Sequence, residues 1–273
     1  MSHAALETEL PARAHHLPAA GLVLVGAGVL VGLPAVLGRP GLLVAVLVLQ
    51  LALVAAWVNA TGIRGFVGSL AIGGAAAIAA DLSMLVPERP QVDGLLAVFG
   101  ATFLVAVVHQ MLRPAPRRYL VASLAGVLML VCSVCSLAVL LALDRTLDDS
   151  ADTASAVLAV GAALGVGHLV DVVLPRPVIA DGVPRGLAGF LLGVVAAVAA
   201  LVVRDGGRTA EALLSAATAG AVLGGIAALT AVAASYVVAE RPQRGWALPV
   251  VQAVLPFATA APVAWALALS AAL

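Results

Sequence analysis

Residues 119–143 read YLVASLAGVLMLVCSVCSLAVLLAL. The stretch has no charged side chain and no proline over 25 residues. A helix rises about 1.5 Å per residue, so it is long enough to cross the roughly 30 Å hydrocarbon core of a bilayer. Only a helix satisfies every backbone amide inside one segment, so an isolated apolar run of this length reads as a membrane-spanning helix.

The same pattern extends outward in both directions. Spans are expected near 19–38, 41–59, 65–86, 94–112, 154–175, 186–203, 211–239 and 247–272, which with 119–143 makes about nine. Short polar breaks separate them, among them PERPQVD (87–93), RPAPRR (113–118), DRTLDDSADT (144–153) and PRPVIADGVPR (175–185). Proline, glycine and arginine stop helices or hold a loop in water. The first hairpin has the weakest boundary, since only Gly38, Arg39 and Pro40 interrupt it. The expected fold class is therefore all-α, a polytopic transmembrane helix bundle. A polar tail covers 1–18 and a helical membrane domain covers 19–273.

Composition agrees. The chain is 63% hydrophobic and 10% charged, against about 25% charged in a soluble domain. Formal net charge is zero, which gives no pull toward nucleic acid. All 14 basic residues are arginine, and Asn59 is the only asparagine. With abundant Ala, Val, Leu and Gly, this points to a GC-rich bacterial genome of actinobacterial type and so to a bacterial plasma (inner) membrane.

Arginine bias sets the expected orientation. With the N-terminus inside, nine arginines lie on inner loops and five on outer ones, favouring N-terminus inside and C-terminus outside. Trp57, Tyr119, Tyr236 and Trp246 fall on the inner side, where amphipathic rings gather. Glycine pairs at four-residue spacing, Gly161/Gly165, Gly189/Gly193 and Gly220/Gly224, are expected to bring helices close within the chain. Cys132 and Cys135 sit in an apolar run, where a thiolate is costly, and are read as packing residues.

Ionisable groups inside spans are expensive and are the first place to look for function. Asp81 is the intramembrane candidate, near the outer end of the third span. His168 and Asp171 are three residues apart near the inner end of the sixth, and so share a helix face. His109 and Arg113 occupy the same level on the fourth span, and Arg176 and Arg185 lie on the loop after the sixth. Asn59, Arg64, Arg117, Arg118, Asp181, Glu240, Arg241 and Arg244 are placed at that level too. Arginine suits bidentate contact with phosphate. His168, Asp171, Arg176, Arg185, His109 and Arg113 are therefore the candidate ligand-binding residues, for an anionic lipid headgroup on the inner face. No catalytic residue, metal site or cofactor is expected. The expected partners are membrane lipids.

The stretch 171–193, DVVLPRPVIADGVPRGLAGFLLG, resembles a segment of the phosphatidate cytidylyltransferases, the CDP-diacylglycerol synthases. Asp171, Pro177, Ile179, Pro184, Arg185 and Gly189 take the places of that family's Asp, loop prolines, isoleucine, base and helix glycine. The ending FATAAPVAW (257–265) is similar to the family's apolar ending. The family's carboxylate-rich signature precedes its last helix, and here 239–262 reads AERPQRGWALPVVQAVLPFATAAP, with no Asp, His or Lys. The resemblance thus implies a lipid or headgroup cleft without the CTP-dependent chemistry. One alternative is a small-solute or proton-coupled transporter, with Asp81 or Gln50 facing a midplane cavity; another, implied by the resemblance, is a degenerate or divergent CTP-dependent phospholipid transferase.

Overall fold

The computed structural model describes residues 15–88, 92–146, 150–174, 176–180, 183–207, 209–240 and 245–271. Asp181, Arg241 and Arg244, and the side chain of Glu240, lie outside the described residues. Among the described residues there are nine helices: α1 His16–Leu37, α2 Arg39–Thr61, α3 Phe66–Leu85, α4 Asp93–Leu112, α5 Leu120–Thr146, α6 Ser150–Val173, α7 Leu187–Asp205, α8 Ala210–Glu240 and α9 Ala247–Ala271. All nine are long and apolar enough to cross a membrane. This is an all-α, multi-pass membrane protein.

Successive helices run antiparallel, so the molecule has two ends. One holds the starts of α1, α3, α5, α7 and α9, and is called here the α1-start end. Contacts across each end agree with this alternation: Trp57 Nε1 donates to the Gly126 carbonyl (2.9 Å) at one, and Arg39 pairs with Asp144 (3.6 Å) at the other.

The bundle has two lobes. Helices α2 to α5 form one and α6 to α9 the other. They meet mainly along α5 and α9 and along α2 and α9, while α1 bridges α2 to α6 and α9. Helices α2, α5, α6 and α9 are the most buried, and α4 and α7 the least. The outward faces of α4 and α7 carry Leu104, Val108, Met111, Leu191 and Val195, all exposed. An apolar exterior of this kind is stable when lipid is the solvent.

The first hairpin is two full helices. Gly38 turns the chain at φ 64°, a conformation that costs a side-chain-bearing residue and not glycine, and Pro40 sits in the first turn of α2. Small residues then set the closest helix approaches. A Cβ on Gly193 would strike the Ala163 carbonyl at 2.6 Å, and one on Gly220 would strike the Val198 Cα at 2.6 Å. The pairs Gly189/Gly193 and Gly220/Gly224 therefore seam α6 to α7 and α7 to α8 within the chain, as their spacing predicts. The two cysteines are free, with Cys135 buried and Cys132 facing outward. Trp57 departs from the interfacial ring expected of it, since it is buried and hydrogen-bonded inside the bundle.

At the end opposite the α1 start, Arg145 closes the C-terminus of α3. Its guanidinium donates to the carbonyls of Met84, Leu85 (3.0 Å), Pro87 (2.8 Å) and Glu88 (3.3 Å). The last carbonyls of a helix have no intrahelical partner and carry its negative end charge, so a cation there is stabilising. Replacing Arg145 by Ala should cost about 1–2 kcal/mol, seen as a lowered thermal midpoint in detergent. An unchanged midpoint would show that the α3 end needs no such cap.

Candidate functional site

The three residues His168, Asp171 and Arg185 meet, and they meet underground. Their relative exposures are 0%, 1% and 5%. His168 and Asp171 lie one turn apart on α6, and Arg185 reaches back to them from the connection to α7. That connection folds on itself: Ile179 N–H donates to the Arg185 carbonyl (3.0 Å), and Leu187 N–H to the Pro177 carbonyl (2.8 Å). Arg185 is thereby aimed inward.

Arg185 Nη1–H donates to Asp171 Oδ2 at 3.0 Å. Gly186 N–H donates to the other oxygen, Oδ1, at 3.0 Å. Gly186 is the N-cap of α7, so the carboxylate also sits at the positive end of that helix. Gly189, one turn into α7, makes room: a Cβ there would overlap Asp171 and lie 2.8 Å from the Gly167 carbonyl.

The second Arg185 nitrogen, Nη2, lies 3.0 Å from His168 Nε2. His168 Nδ1 lies 3.1 Å from His16 Nδ1, and His16 Nε2 lies 2.7 Å from the Pro184 carbonyl. The two ends of this chain fix every proton in it. A guanidinium only donates and a carbonyl only accepts. His168 must therefore accept at Nε2 and, neutral, carry its proton on Nδ1. It donates that proton to His16 Nδ1, and His16 carries its own on Nε2 and donates it to Pro184. A second proton on either ring would set two donors face to face. The cluster holds one cation, one anion and two neutral imidazoles.

His15 packs on His16 with ring centroids 4.2 Å apart. Burial, and then the Arg185 charge, pull its imidazole down from 6.5 to about 4, so it is neutral at pH 7. Burial likewise lowers Arg185, opposed by Asp171, and the guanidinium stays charged. The void beside Arg185, lined by Gly167, Gly189 and Phe190 among others, is about 10 Å³. That is room for about one water and no larger ligand.

Arg176 does not join the cluster and is exposed. His109 and Arg113 do not join it either. His109 Nε2 lies 3.4 Å from the Gly65 carbonyl, and the ring fills the space that side chains on Gly65 and Gly68 would take. Gln110 donates to the Arg64 carbonyl (3.1 Å) and accepts from Arg113 Nη1 (2.7 Å). These contacts tie the end of α4 to the start of α3. Helix α4 touches only α3 and α5 among the described elements, so this group belongs to the other lobe.

Asp81 is 3% exposed and Gln50 is fully buried. Gln50 Nε2 donates to Asp81 Oδ1 (2.9 Å) and to the Val134 carbonyl (3.0 Å), which joins α2, α3 and α5. Asp81 Oδ2 and Gln50 Oε1 have no partner among the described residues. The pair is packed among helices.

Sequence reading missed His16, which it assigned to the polar tail before a span beginning at Ala19. The helix begins three residues earlier because His15 and His16 have partners inside the bundle, so their polarity does not exclude them. A pair of histidines directly before a span was the available signal. Among the described residues no group of three or more His, Cys, Asp or Glu could hold a metal ion. No protein-family model, curated protein or solved structure matches the chain.

Breaking a buried ion pair by removing one partner costs about 3–5 kcal/mol, whereas replacing both by apolar groups can be close to neutral. Asp171→Leu or Arg185→Met alone should therefore destabilise strongly, and the double variant less than either. Unfolding midpoints of the four proteins in one detergent test this. Additive losses would mean that the pair is not coupled.

Proposed function

We propose that the protein is a multi-pass protein of a bacterial plasma membrane that binds an amphiphile, a lipid or a lipid-like solute, without turning it over. One observation carries this reading. The buried ionisable residues His168, Asp171 and Arg185 are engaged with one another and with His16, with the imidazole protons assigned and about 10 Å³ of free space beside them. A general base or a phosphate site needs an open valence and an accessible face. Two larger clefts, of about 280 Å³ and 710 Å³, lie at the opposite end.

An anionic headgroup at the α1-start end, placed by arginine bias on the cytoplasmic side, would meet the exposed Arg117, Arg118 and Arg176 in place of the buried Arg185. The residues that carry the cytidylyltransferase resemblance, Asp171, Arg185 and Gly189, serve here to seat α7 against α6. That favours a degenerate relative, with a lipid-binding role kept and CTP-dependent transfer lost.

A second reading, a small-solute transporter, has its own support. One end is sealed by the polar cluster, and the 710 Å³ cleft at the other is lined by Asp152, Asp205 and Glu211 as well as apolar side chains. Closure at one end and a cleft at the other suit alternating access. The packed Asp81–Gln50 pair is less suited to it than a midplane cavity would be.

Native mass spectrometry of the protein in mild detergent tests the main reading. A stoichiometric bound lipid that survives gentle activation is expected. Bare protein in several detergents, with solute uptake in proteoliposomes, would overturn it in favour of transport.

A further inference from the structure

At the α1-start end both Asp171 oxygens and both Arg185 Nη nitrogens have partners, while Arg185 Nε and His15 Nε2 have none among the described residues; at the other end one buried hydroxyl also has none. Thr153, near the start of α6, is 3% exposed, and its Oγ1 has no hydrogen-bond partner among the described residues. An unpaired buried hydroxyl costs about 1–3 kcal/mol. It lines the 280 Å³ pocket.

The polar lining of that pocket has two signs. Asp144 is 7% exposed and is paired at 3.6 Å with Arg39. Arg204, from the end of α7, also lines the pocket; its Nε donates to Ser155 Oγ (2.7 Å), and it pairs with Asp205 at 3.6 Å. Leu30, Val31, Pro34 and Leu42 form an apolar wall. Pro34 lies inside α1 and has no N–H, so it cannot return a helical hydrogen bond to the Leu30 carbonyl.

These groups are arranged by depth. Asp144, Thr153 and Arg204 lie within one turn of their helix ends, at about the level of lipid headgroups. Leu30 and Val31 lie about two turns inside the end of α1. A ligand that fits is charged at the rim and apolar below.

Resting on the amphiphile reading, we propose that this pocket binds a small zwitterion: a primary ammonium and a phosphate or carboxylate on one molecule with an apolar body. The ammonium has three N–H groups, which suit the Asp144 carboxylate, the Thr153 hydroxyl and the Leu30 carbonyl. The Arg204 guanidinium suits the anion. A quaternary ammonium has no N–H to offer and is recognised by aromatic faces, of which this pocket has none. The volume is at the small end of ligand pockets, roughly 300–1,000 Å³, and suits a headgroup or an amino acid. An ethanolamine phospholipid and a free apolar amino acid share this chemistry.

Delipidated protein titrated with short-chain phosphatidylethanolamine, the matching phosphatidylcholine, and leucine tests the proposal, read by calorimetry. The ethanolamine lipid or leucine should bind at least tenfold more tightly than the choline lipid. Which of the two binds assigns the source to a lipid or to a free solute. Thr153→Val should weaken that binding about tenfold or more without lowering the unliganded thermal midpoint, since no hydrogen bond of the free protein is lost. Asp144→Asn should weaken it too. Equal binding of the ethanolamine and choline lipids, full binding by the Thr153→Val protein, or no binding of any probe would overturn the proposal. If a lipid still co-purifies under those outcomes, the amphiphile reading stands and only this pocket is wrongly assigned.

Discussion

Arg185 and Asp171 form a buried ion pair, and much of the packing of α6 against α7 is arranged around it. Taking two charges out of water costs several kcal/mol each, so such a pair persists only with good geometry and with its remaining donors and acceptors occupied. Asp171 meets that condition with Arg185 and the Gly186 amide at the N-terminus of α7. Arg185 meets it at its two terminal nitrogens, with Asp171 on one side and His168 on the other, and its Nε has no partner among the described residues. Gly189 is required because the carboxylate lies where a Cβ would be. The demand then passes through His168 to His16, which pins the start of α1 to the Pro184 carbonyl. Sequence, helix register and helix contact at this end thus follow from the electrostatics of one pair.

Each part of this was legible to a different degree. The spans could be read because an apolar run of about 20 residues has few other fates. The meeting of His168 with Asp171 could be read from their spacing of three, and Arg185 from its place on a short connection that must return to the bundle. His16 could not be paired with them, because it is 152 residues from His168 and nothing local marks which helix α1 packs against. The same limit explains His109 and Arg113. Topology puts them at the level of His168, but level does not fix the lobe, and α4 packs against α3 and α5. Asp81 and Gln50 were both visible as polar groups within spans, while nothing local showed that they pair with each other. Thr153 drew no notice, since a threonine beside a loop is ordinary until its hydroxyl is buried without a partner.

An ionisable group in a membrane helix invites a functional reading, because it is expensive. Here most of the expense at the α1-start end is met internally, through the Asp171–Arg185–His168–His16 contacts, and the cluster acts as a clamp. Among the groups without a hydrogen-bond partner in the described residues, the Thr153 hydroxyl is the one at the opposite end of the bundle that lines a cleft of useful size. Charged residues at the two ends therefore have different work. At one end they hold helices together; at the other Arg145 caps α3, while Asp144 and Arg204 also line space that a second molecule can fill.

The clamp depends on two histidines being neutral and on each being a defined tautomer. With five histidines in the chain, nitrogen-15 NMR of histidine-labelled protein in detergent, assigned with His16→Gln and His168→Gln variants, reads both states directly. The structure predicts the Nδ1–H tautomer for His168 and the Nε2–H tautomer for His16 at neutral pH. An imidazolium signal from either, or exchange of both rings between tautomers, would contradict a closed chain and return this cluster to the list of places where a ligand or a proton can enter.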